Sequence, residues 1–219
     1  NTYQVTVTPD NGMYDTVNVQ VTPTVAQKVV TVTAENKTKT YGKNNPDLTF
    51  TVPEGALVGT DTEDDLGVTL SCEATAVSPV KEGGYAITGT SSSANYNVTV
   101  TPGTLTIEKA DATITVGTTS YDKTFGDADF TLDVTDTNSE ANVQYEVTTG
   151  TDVITVSNGT VTILKAGTAT ITVSLPASTN YNAADTKTIT VTVAKKSGYT
   201  VADINRSYLY SRDNADTID

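Results

Sequence analysis

Apolar and polar residues alternate along most of this chain with a period of two. Val30 and Val32 flank one threonine, and Ile189, Val191 and Val193 are likewise separated by single threonines. Because successive side chains of a strand point to opposite faces, this pattern predicts β-strands with one buried and one exposed face. The sequence has no run of 18 or more apolar residues, so we expect no membrane insertion within it.

One turn between two such strands is well defined by its sequence. The tetrapeptide Ser157-Asn158-Gly159-Thr160 separates the apolar stretch 153–156 from Val161 and Ile163. Asn-Gly between alternating apolar residues favours a type I′ turn, because both central residues then need a positive φ. We therefore predict a β-hairpin in which Asn158 and Gly159 are structural residues.

The strands and turns come in two copies. Lys39-Thr40-Tyr41-Gly42 returns 84 positions later as Lys123-Thr124-Phe125-Gly126, and Asn95-Tyr96-Asn97 returns 85 positions later as Asn180-Tyr181-Asn182. The same turn chemistry at the same spacing indicates a tandem array of one structural unit. Tyr41-Gly42 and Phe125-Gly126 are accordingly predicted to be structural turns.

The repeat spacing predicts the organisation of the whole chain. Residues 25–109 and 110–195 are expected to form two β-sandwich domains joined by a short linker that limits relative motion. Residues 1–24 are expected to be the terminal hairpin of a preceding domain or an N-terminal extension, and residues 196–219 a tail or the lead-in to a further domain. Since the chain does not begin with methionine and shows no signal peptide, we expect it to be a fragment of a longer, processed or recombinantly trimmed protein.

Several short motifs of the first repeat occur together in a known family. They are Lys39-Thr40-Tyr41-Gly42 with Pro46, Leu57-Val58-Gly59-Thr60-Asp61, Gly84-Tyr85-Ala86-Ile87, Asn95-Tyr96 and Gly103-Thr104-Leu105-Thr106-Ile107. Through them, residues 25–109 resemble the MBG domains of bacterial proteins. The second repeat lacks the Leu-Val-Gly-x-Asp loop and a counterpart of Tyr85, and through 161–171 it resembles group-2 bacterial Ig-like or MBG-like repeats.

This resemblance implies both a fold and a setting. The expected fold is all-β, a series of tandem Ig-like β-sandwich domains in an elongated array. The expected setting is extracellular, in a secreted or cell-surface bacterial protein that is often adhesin-like. The family supplies no general catalytic residue.

Composition and charge exclude several classes of function. The formal net charge of −13 disfavours binding to nucleic acid or to anionic membranes, because no basic face can neutralise phosphates. The chain has no histidine, which excludes the usual Ser-His-Asp and Cys-His nucleophiles. Its one cysteine, Cys72, is expected to be a buried strand thiol, and a zinc site of nitrogen and sulfur ligands is nearly excluded. We expect no enzyme and no cofactor.

The residues with the clearest alternative interpretations are acidic or aromatic. Asp61, Glu63, Asp64 and Asp65 are weak candidates for a Ca²⁺ site, since calcium takes carboxylate oxygens from flexible loops. Their spacing does not fit an EF-hand loop, so a solvated acidic loop is favoured and no metal is predicted. Tyr85 is interpreted either as a tyrosine corner, with its hydroxyl bonded to loop backbone, or as simple core packing.

The leading functional hypothesis is a structural spacer or stalk module that projects a distal functional domain from a bacterial surface. Its expected partners are the neighbouring domains of the same polypeptide, and we expect it to be monomeric. The first alternative is an adhesion module that binds a host protein or glycan through an exposed apolar or aromatic patch. The second alternative is an accessory module of a glycan-degrading enzyme.

Overall fold

The alternating residues form β-strands that belong to two separate units. The structure, a computed structural model, describes residues 2–10 and 12–198. The chain consists of two compact units, the first over Asn1–Glu108 and the second over Lys109–Asp219. Most of the tail predicted over 196–219, from residue 199 onward, lies outside the described residues.

The first unit contains nine strands and one short helical segment. Within the described residues the only helical element of the chain is a 3-10 helix, Glu63–Leu66. The strands are β1 (Tyr3–Val7), β2 (Val17–Val21), β3 (Lys28–Ala34), β4 (Lys37–Thr40), β5 (Phe50–Thr51), β6 (Val68–Cys72), β7 (Tyr85–Ser91), β8 (Tyr96–Thr101) and β9 (Gly103–Glu108).

Two sheets enclose the core of the first unit. One has the strand order β5-β3-β8, and the other has the order β4-β9-β7-β6. On β3, the buried residues Val30, Val32 and Ala34 alternate with exposed ones, as the sequence pattern predicts. Each buried cluster draws residues from both sheets, so the unit is a β-sandwich.

The chain changes from one sheet to the other at two adjacent places in the first unit. β3 gives way to β4 through Glu35 and Asn36, and β8 gives way to β9 at Pro102. The backbone N–H of Thr104 donates to Asn36 Oδ1 at 2.8 Å. A Cβ on Gly103 would lie 2.6 Å from the carbonyl oxygen of Ala34, so only glycine permits this approach of the two crossovers.

Up to residue 198, where the described part ends, the second unit contains eleven strands. They are β10 (Ala110–Asp111), β11 (Ile114–Val116), β12 (Ser120–Thr124), β13 (Phe130–Thr131), β14 (Val134–Asp136), β15 (Gln144–Thr149), β16 (Ile154–Ser157), β17 (Thr160–Ile163), β18 (Gly167–Ser174), β19 (Tyr181–Asn182) and β20 (Lys187–Ala194). The main sheet has the order β12-β20-β18-β15, and a second sheet has the order β13-β17-β16. The strand pairs β10-β19 and β11-β14 complete the unit. The described chain is thus all-β, and the predicted fold class is confirmed.

Strand pairing places the two repeats in the same register. On β4, Lys39 is opposite Ile107 of β9, and on β12, Lys123 is opposite Val193 of β20. In both units this pair is parallel, and so is the pair that precedes it, β3 with β8 and β10 with β19. Lys39 and Lys123 are 84 residues apart and their partners Ile107 and Val193 are 86 apart, so the repeats share their strand pairing although the last strand of the second repeat comes two residues later.

The alternation of Leu48, Phe50 and Val52 predicts a strand of about five residues, and the structure forms only part of it. Only Phe50 and Thr51 form strand β5, opposite Ala34 and Thr33 of β3. Val52 is followed by Pro53, which has no backbone N–H to give to a ladder. Leu48 still packs against the core without belonging to a strand.

The hairpin predicted in residues 1–24 is formed by β1 and β2, which pair only with each other. Its apolar side chains all lie on one face, because Tyr3 is opposite Val21, Val5 opposite Val19 and Val7 opposite Val17. Every residue of both strands is exposed.

Candidate functional site

The acidic loop that was the weak metal candidate is organised by hydrogen bonds of its own. Asp65 Oδ2 accepts from the backbone N–H of Thr62 at 2.8 Å and from its hydroxyl at 3.1 Å, which caps the 3-10 helix. Glu63 and Asp64 are exposed in the first turn of that helix. Among residues 2–10 and 12–198, no group of three or more acidic, cysteine or histidine side chains is arranged to hold a metal ion.

Asp61 is used to hold a buried tyrosine. The hydroxyl of Tyr96 donates to Asp61 Oδ2 at 2.6 Å and accepts from the backbone N–H of Val58 at 2.9 Å. Tyr96 is only 2% exposed, so its polar hydroxyl needs such partners. The hydrogen bond to Asp61 and, second, burial raise the pKa of Tyr96 above its ordinary value.

This contact was missed from the sequence, although a signal for it was present. The Leu57-Val58-Gly59-Thr60-Asp61 motif supplies both partners of the Tyr96 hydroxyl, and that motif is absent from the second repeat. The equivalent tyrosine there, Tyr181, is only half-buried. The loop and the full burial of the tyrosine therefore occur together in one repeat and are both missing from the other.

The predicted turns at Tyr41-Gly42 and Phe125-Gly126 have the same backbone form. Gly42 has φ +81° and Gly126 has φ +95°, a region that favours glycine. Tyr41 donates its backbone N–H to Glu108, and Phe125 donates its own to Ala194, with N···O distances of 2.8 and 2.9 Å. The two aromatic side chains differ in their surroundings, however, since Tyr41 packs against the core of its unit and Phe125 is 45% exposed.

The lysine that precedes each turn also has a different environment in each unit. Lys39 is buried, and its Nζ donates to the carbonyl oxygens of Thr75 at 2.5 Å and Lys43 at 3.1 Å. Lys123 Nζ instead lies 4.5 Å from the ring centroid of Phe130, a cation–π contact. The equivalent lysine side chain is thus bound by carbonyl oxygens in the first unit and by an aromatic ring in the second.

Tyr85 has the hydrogen bond expected of a tyrosine corner, the first of its two interpretations. Its hydroxyl donates to the carbonyl oxygen of Pro79 at 2.9 Å, six residues upstream, as a tyrosine corner would. Lys81 Nζ lies 5.3 Å from the centroid of its ring.

Cys72, on β6, is a free thiol and is half-buried where full burial was expected.

Asn158 and Gly159 lie in the turn between β16 and β17. Their φ values are +48° and +79°, both positive as a type I′ turn requires. Ser157 is opposite Thr160 in the ladder. A Cβ on Gly159 would lie 3.2 Å from the Tyr145 hydroxyl oxygen, which leaves little room for a larger residue.

The second unit contains a polar cluster that the sequence did not reveal, in which Asn138 and Asn180 are buried and Glu140 is exposed. Asn180 Nδ2 donates to Glu140 Oε1 at 2.5 Å, and the Asn180 backbone N–H donates to Glu140 Oε2 at 3.1 Å. Asn138, 1% exposed, donates to the Pro176 carbonyl oxygen and accepts from the Ser178 hydroxyl. The Asn180 side-chain bond is the main reason why the pKa of Glu140 lies below its usual value.

The residue before β3 in the first unit and the residue before β10 in the second unit make similar hydrogen bonds to loop carbonyl oxygens. Gln27 Nε2 donates to the carbonyl oxygens of Ser93 and Ala94, at 3.3 and 3.1 Å. Lys109 Nζ donates to the carbonyl oxygen of Ser178 at 2.6 Å. The start of each sandwich is thereby tied to the loop that carries the Asn-Tyr-Asn motif.

A groove lies on the second unit beside the Phe125-Gly126 turn. Its volume is about 570 Å³, and it is lined by Phe125, Leu164, Lys165, Ala166, Lys195, Lys196 and Gly198. None of the candidate residues of the first repeat lies in it.

In the part of the chain that the structure describes, no helix is long and apolar enough to cross a membrane.

Comparison with known proteins agrees with the family resemblance of the first repeat. A family model described as MBG domain (YGX type) matches residues 30–106. A search of curated proteins finds no match.

Three solved structures that align with parts of this chain illustrate the structural comparison. The S-layer protein SbsC, domains 4 and 5, is 20% identical, with 70% of this chain and 86% of that chain covered and a TM-score of 0.34. The PKD domain of human KIAA0319 is 17% identical over 42% of this chain and 90% of its own, with a TM-score of 0.34. Drosophila N-cadherin EC1-3 is 8% identical over 75% of this chain and 68% of its own, also with a TM-score of 0.34. At such scores these likenesses carry no argument about this chain, whereas the family match confirms the resemblance of the segment 30–106 to MBG domains.

Proposed function

We propose that this chain is a structural spacer or stalk module of a secreted or cell-surface bacterial protein, and that it projects a distal functional domain. The observation that carries this proposal is the parallel pairing of an early and a late strand in each unit. β4 pairs with β9 in the first unit, and β12 pairs with β20 in the second.

Parallel pairing determines how a unit responds to tension. The start of the early strand and the end of the late strand lie at opposite ends of a parallel pair. When the chain is pulled from both sides, the two strands slide past each other and their hydrogen bonds are loaded together. In an antiparallel pair with both ends on one side, the bonds would instead break one after another. Each unit is therefore suited to transmit force without extending.

The acidic loop supports a module without chemistry of its own, because Asp61 and Asp65 are engaged in structural hydrogen bonds. Residues 30–106 match the MBG domain model, and the family resemblance implies no general catalytic residue. We expect no enzymatic activity, and partners that are neighbouring domains of the same polypeptide. An extracellular location at a bacterial surface and a monomeric state complete the proposal.

The hairpin of β1 and β2 fits the same scheme. Tyr3, Val5 and Val7 repeat the pattern of Tyr96, Val98 and Val100, which face the core of the first unit. We therefore propose that residues 1–24 are the terminal hairpin of a preceding Ig-like domain. A chain that starts at residue 25 should keep the thermal unfolding of both units unchanged, and a lower melting temperature would contradict this assignment.

Single-molecule force spectroscopy tests the spacer function. Each unit should unfold in one step that releases about 25 nm of chain. Because Phe125 N–H donates to Ala194 and Thr190 N–H donates to Thr119, the odd-numbered residues of β12 are those that bond to β20. Lys123→Pro should therefore lower the unfolding force of the second unit well below that of Lys123→Ala, which keeps the backbone donor.

Asp122→Pro is the matched control, since the N–H of Asp122 points away from β20 in this register. It should leave the unfolding force close to that of the unmodified chain. Equal unfolding forces for the two proline variants would show that the β12-β20 pair does not bear the load, and the spacer mechanism would be wrong.

Adhesion is the alternative that a specific observation favours. Phe125 and Leu164 are 45% and 47% exposed beside the groove, which gives the second unit an apolar patch for a host protein or glycan. Saturable binding to a glycan or matrix-protein array that Phe125→Ser abolishes would support adhesion over the pure spacer.

A further inference from the structure

The groove on the second unit corresponds to a place that is filled in the first unit. In the first unit, the loop between β6 and β7 covers the Tyr41-Gly42 turn. Gly42 N–H donates to the carbonyl oxygen of Ala76 at 3.0 Å, and Lys39 Nζ donates to that of Thr75. Asn45 Nδ2 donates to the carbonyl oxygen of Ala74 at 2.5 Å. A short stretch of backbone thus closes over the aromatic turn.

The equivalent connection in the second unit takes another course. Between β15 and β18 the chain forms the hairpin of β16 and β17, which pairs with β13 in the other sheet. Only its last residues, Leu164 to Ala166, return to the Phe125-Gly126 turn. Among the described residues, no loop backbone covers this turn as residues 74–76 cover its counterpart, and Phe125 and Leu164 are about half-exposed.

The rim of the groove is positively charged in an acidic protein. Lys165, Lys195 and Lys196 line it, although the chain has only 13 basic residues against 26 acidic ones. Lys165 pairs with Asp152, on the segment that begins the β16-β17 hairpin. An occupant that combines apolar side chains with carboxylates would match both the apolar floor and the charged rim.

We propose that residues 199–219 of this same chain dock in the groove and cover Phe125, as residues 74–76 cover Tyr41. Gly198 is itself part of the lining, so this segment starts at the rim. Its sequence supplies the required chemistry, with apolar residues for the floor and aspartates for the lysines. They are Tyr199, Val201, Ile204, Tyr208, Leu209 and Tyr210, followed by Asp213, Asp216 and Asp219.

The affinity that this docking requires is modest. A segment joined by a short flexible connection has an effective concentration of about 1 mM near its site. A free peptide of residues 199–219 therefore needs a Kd below about 1 mM for the attached segment to be mostly docked. This inference does not depend on the spacer function, because it concerns one surface of one unit.

A tryptophan reporter tests the docking directly, since the chain contains no tryptophan. We expect the emission of Phe125→Trp to lie at shorter wavelength in the 1–219 chain than in a 1–198 chain. Adding the free 199–219 peptide to the shorter chain should restore the shift with saturation. Val77→Trp, which replaces an exposed residue of the first unit, is the control and should emit identically in both lengths.

Charge reversal provides a second test that does not alter Phe125. Exchange of Lys195 and Lys196 for glutamate should weaken peptide binding at least tenfold and expose residues 123–126 to hydrogen exchange in the 1–219 chain. Lys187→Glu, at the other end of β20, should have no effect. Equal emission and exchange in both chain lengths would overturn the proposal. A shift that increases with protein concentration would also overturn it, because a second copy would then supply the segment.

Discussion

The two units use one strand framework and complete it differently. In the first, the Tyr41-Gly42 turn is covered by loop backbone and Tyr96 is held by Asp61. In the second, the equivalent Phe125 is exposed, and Glu140 binds Asn180, the neighbour of the equivalent Tyr181. The comparison shows that strand register is the shared property, whereas loops and polar contacts are particular to each repeat.

The hydrophobic cores of the two units also differ, in the number of buried clusters that they contain. The first unit has two separate buried clusters, one around Ile87 and Leu105 and one around Val32 and Tyr96. The second has one continuous cluster that includes Ile171 and Val191. The first unit thus relies more on its loops, the 3-10 helix included, because Leu66 of that helix is fully buried in the second of its clusters.

The largest expected effect comes from truncating the core at equivalent positions. Ile87 and Ile171 are both 0% exposed and lie 84 residues apart. Ile171→Ala should lower the free energy of unfolding of the second unit by about 2–5 kcal/mol, because it removes buried methyl groups and leaves a cavity. Urea unfolding followed by hydrogen exchange measures each unit separately. Ile87→Ala should affect only the first unit, and a loss of stability in both units from either variant would contradict their independence.

A smaller effect is expected at Tyr96. Tyr96→Phe should lower the melting temperature of the first unit by about 4–8 °C, because Val58 N–H and Asp61 each lose a buried partner. Tyr85→Phe is the control, since its hydroxyl bonds to an exposed loop and its loss should matter less. Differential scanning calorimetry measures both variants, and equal shifts would show that the Asp61 contact adds no stability.

Tyr96 also predicts a difference at alkaline pH. Since its pKa in the folded chain is raised above the ordinary 10.0, the tyrosine contributes stability that is complete below pH 10. That stability is lost as pH rises through the raised pKa. Tyr96→Phe should therefore reduce the alkaline decline of the first unit, and an unchanged pH profile would contradict the shift.

The smallest expected effect is at acid pH in the second unit. Hydrogen bonds from Asn180, with help from Ser178 and Lys109, hold the pKa of Glu140 below 4.5. The stability that it contributes is present above that pH and is lost as pH falls through the lowered pKa. Glu140→Gln should flatten the acid decline of the second unit by a few degrees in thermal scans from pH 6 to pH 3, while the first unit serves as the internal control. A steeper decline in the variant would be the opposite of this expectation.

The strand framework could be predicted from the sequence because its signals are local. Alternation identified strands such as β3 and β20, and two glycines at the same offset identified the turns after β4 and β12. The hairpin of β16 and β17 followed from Asn158-Gly159 alone. Each of these features depends on a few neighbouring residues.

The polar contacts could not be predicted because they join loops that are distant in sequence. Asp61 and Tyr96 are 35 residues apart, and Glu140 and Asn180 are 40 apart. Nothing in one sequence states which acidic residue of a polar loop turns inward. The open groove at Phe125 was missed for the same reason, since it results from where the 150–166 segment goes and not from any motif at the turn.

The short strands at the borders of the sheets have a consequence for an array of similar repeats. β5 and β13 each contain two residues, and β4 carries Lys37 and Lys39 along its four. Unpaired sheet edges otherwise recruit strands from neighbouring chains, and brevity and lysine both oppose this. Adjacent repeats of one chain are at high local concentration while they are still unfolded during synthesis. Short edge strands and edge lysines make these repeats less able to exchange strands or to aggregate.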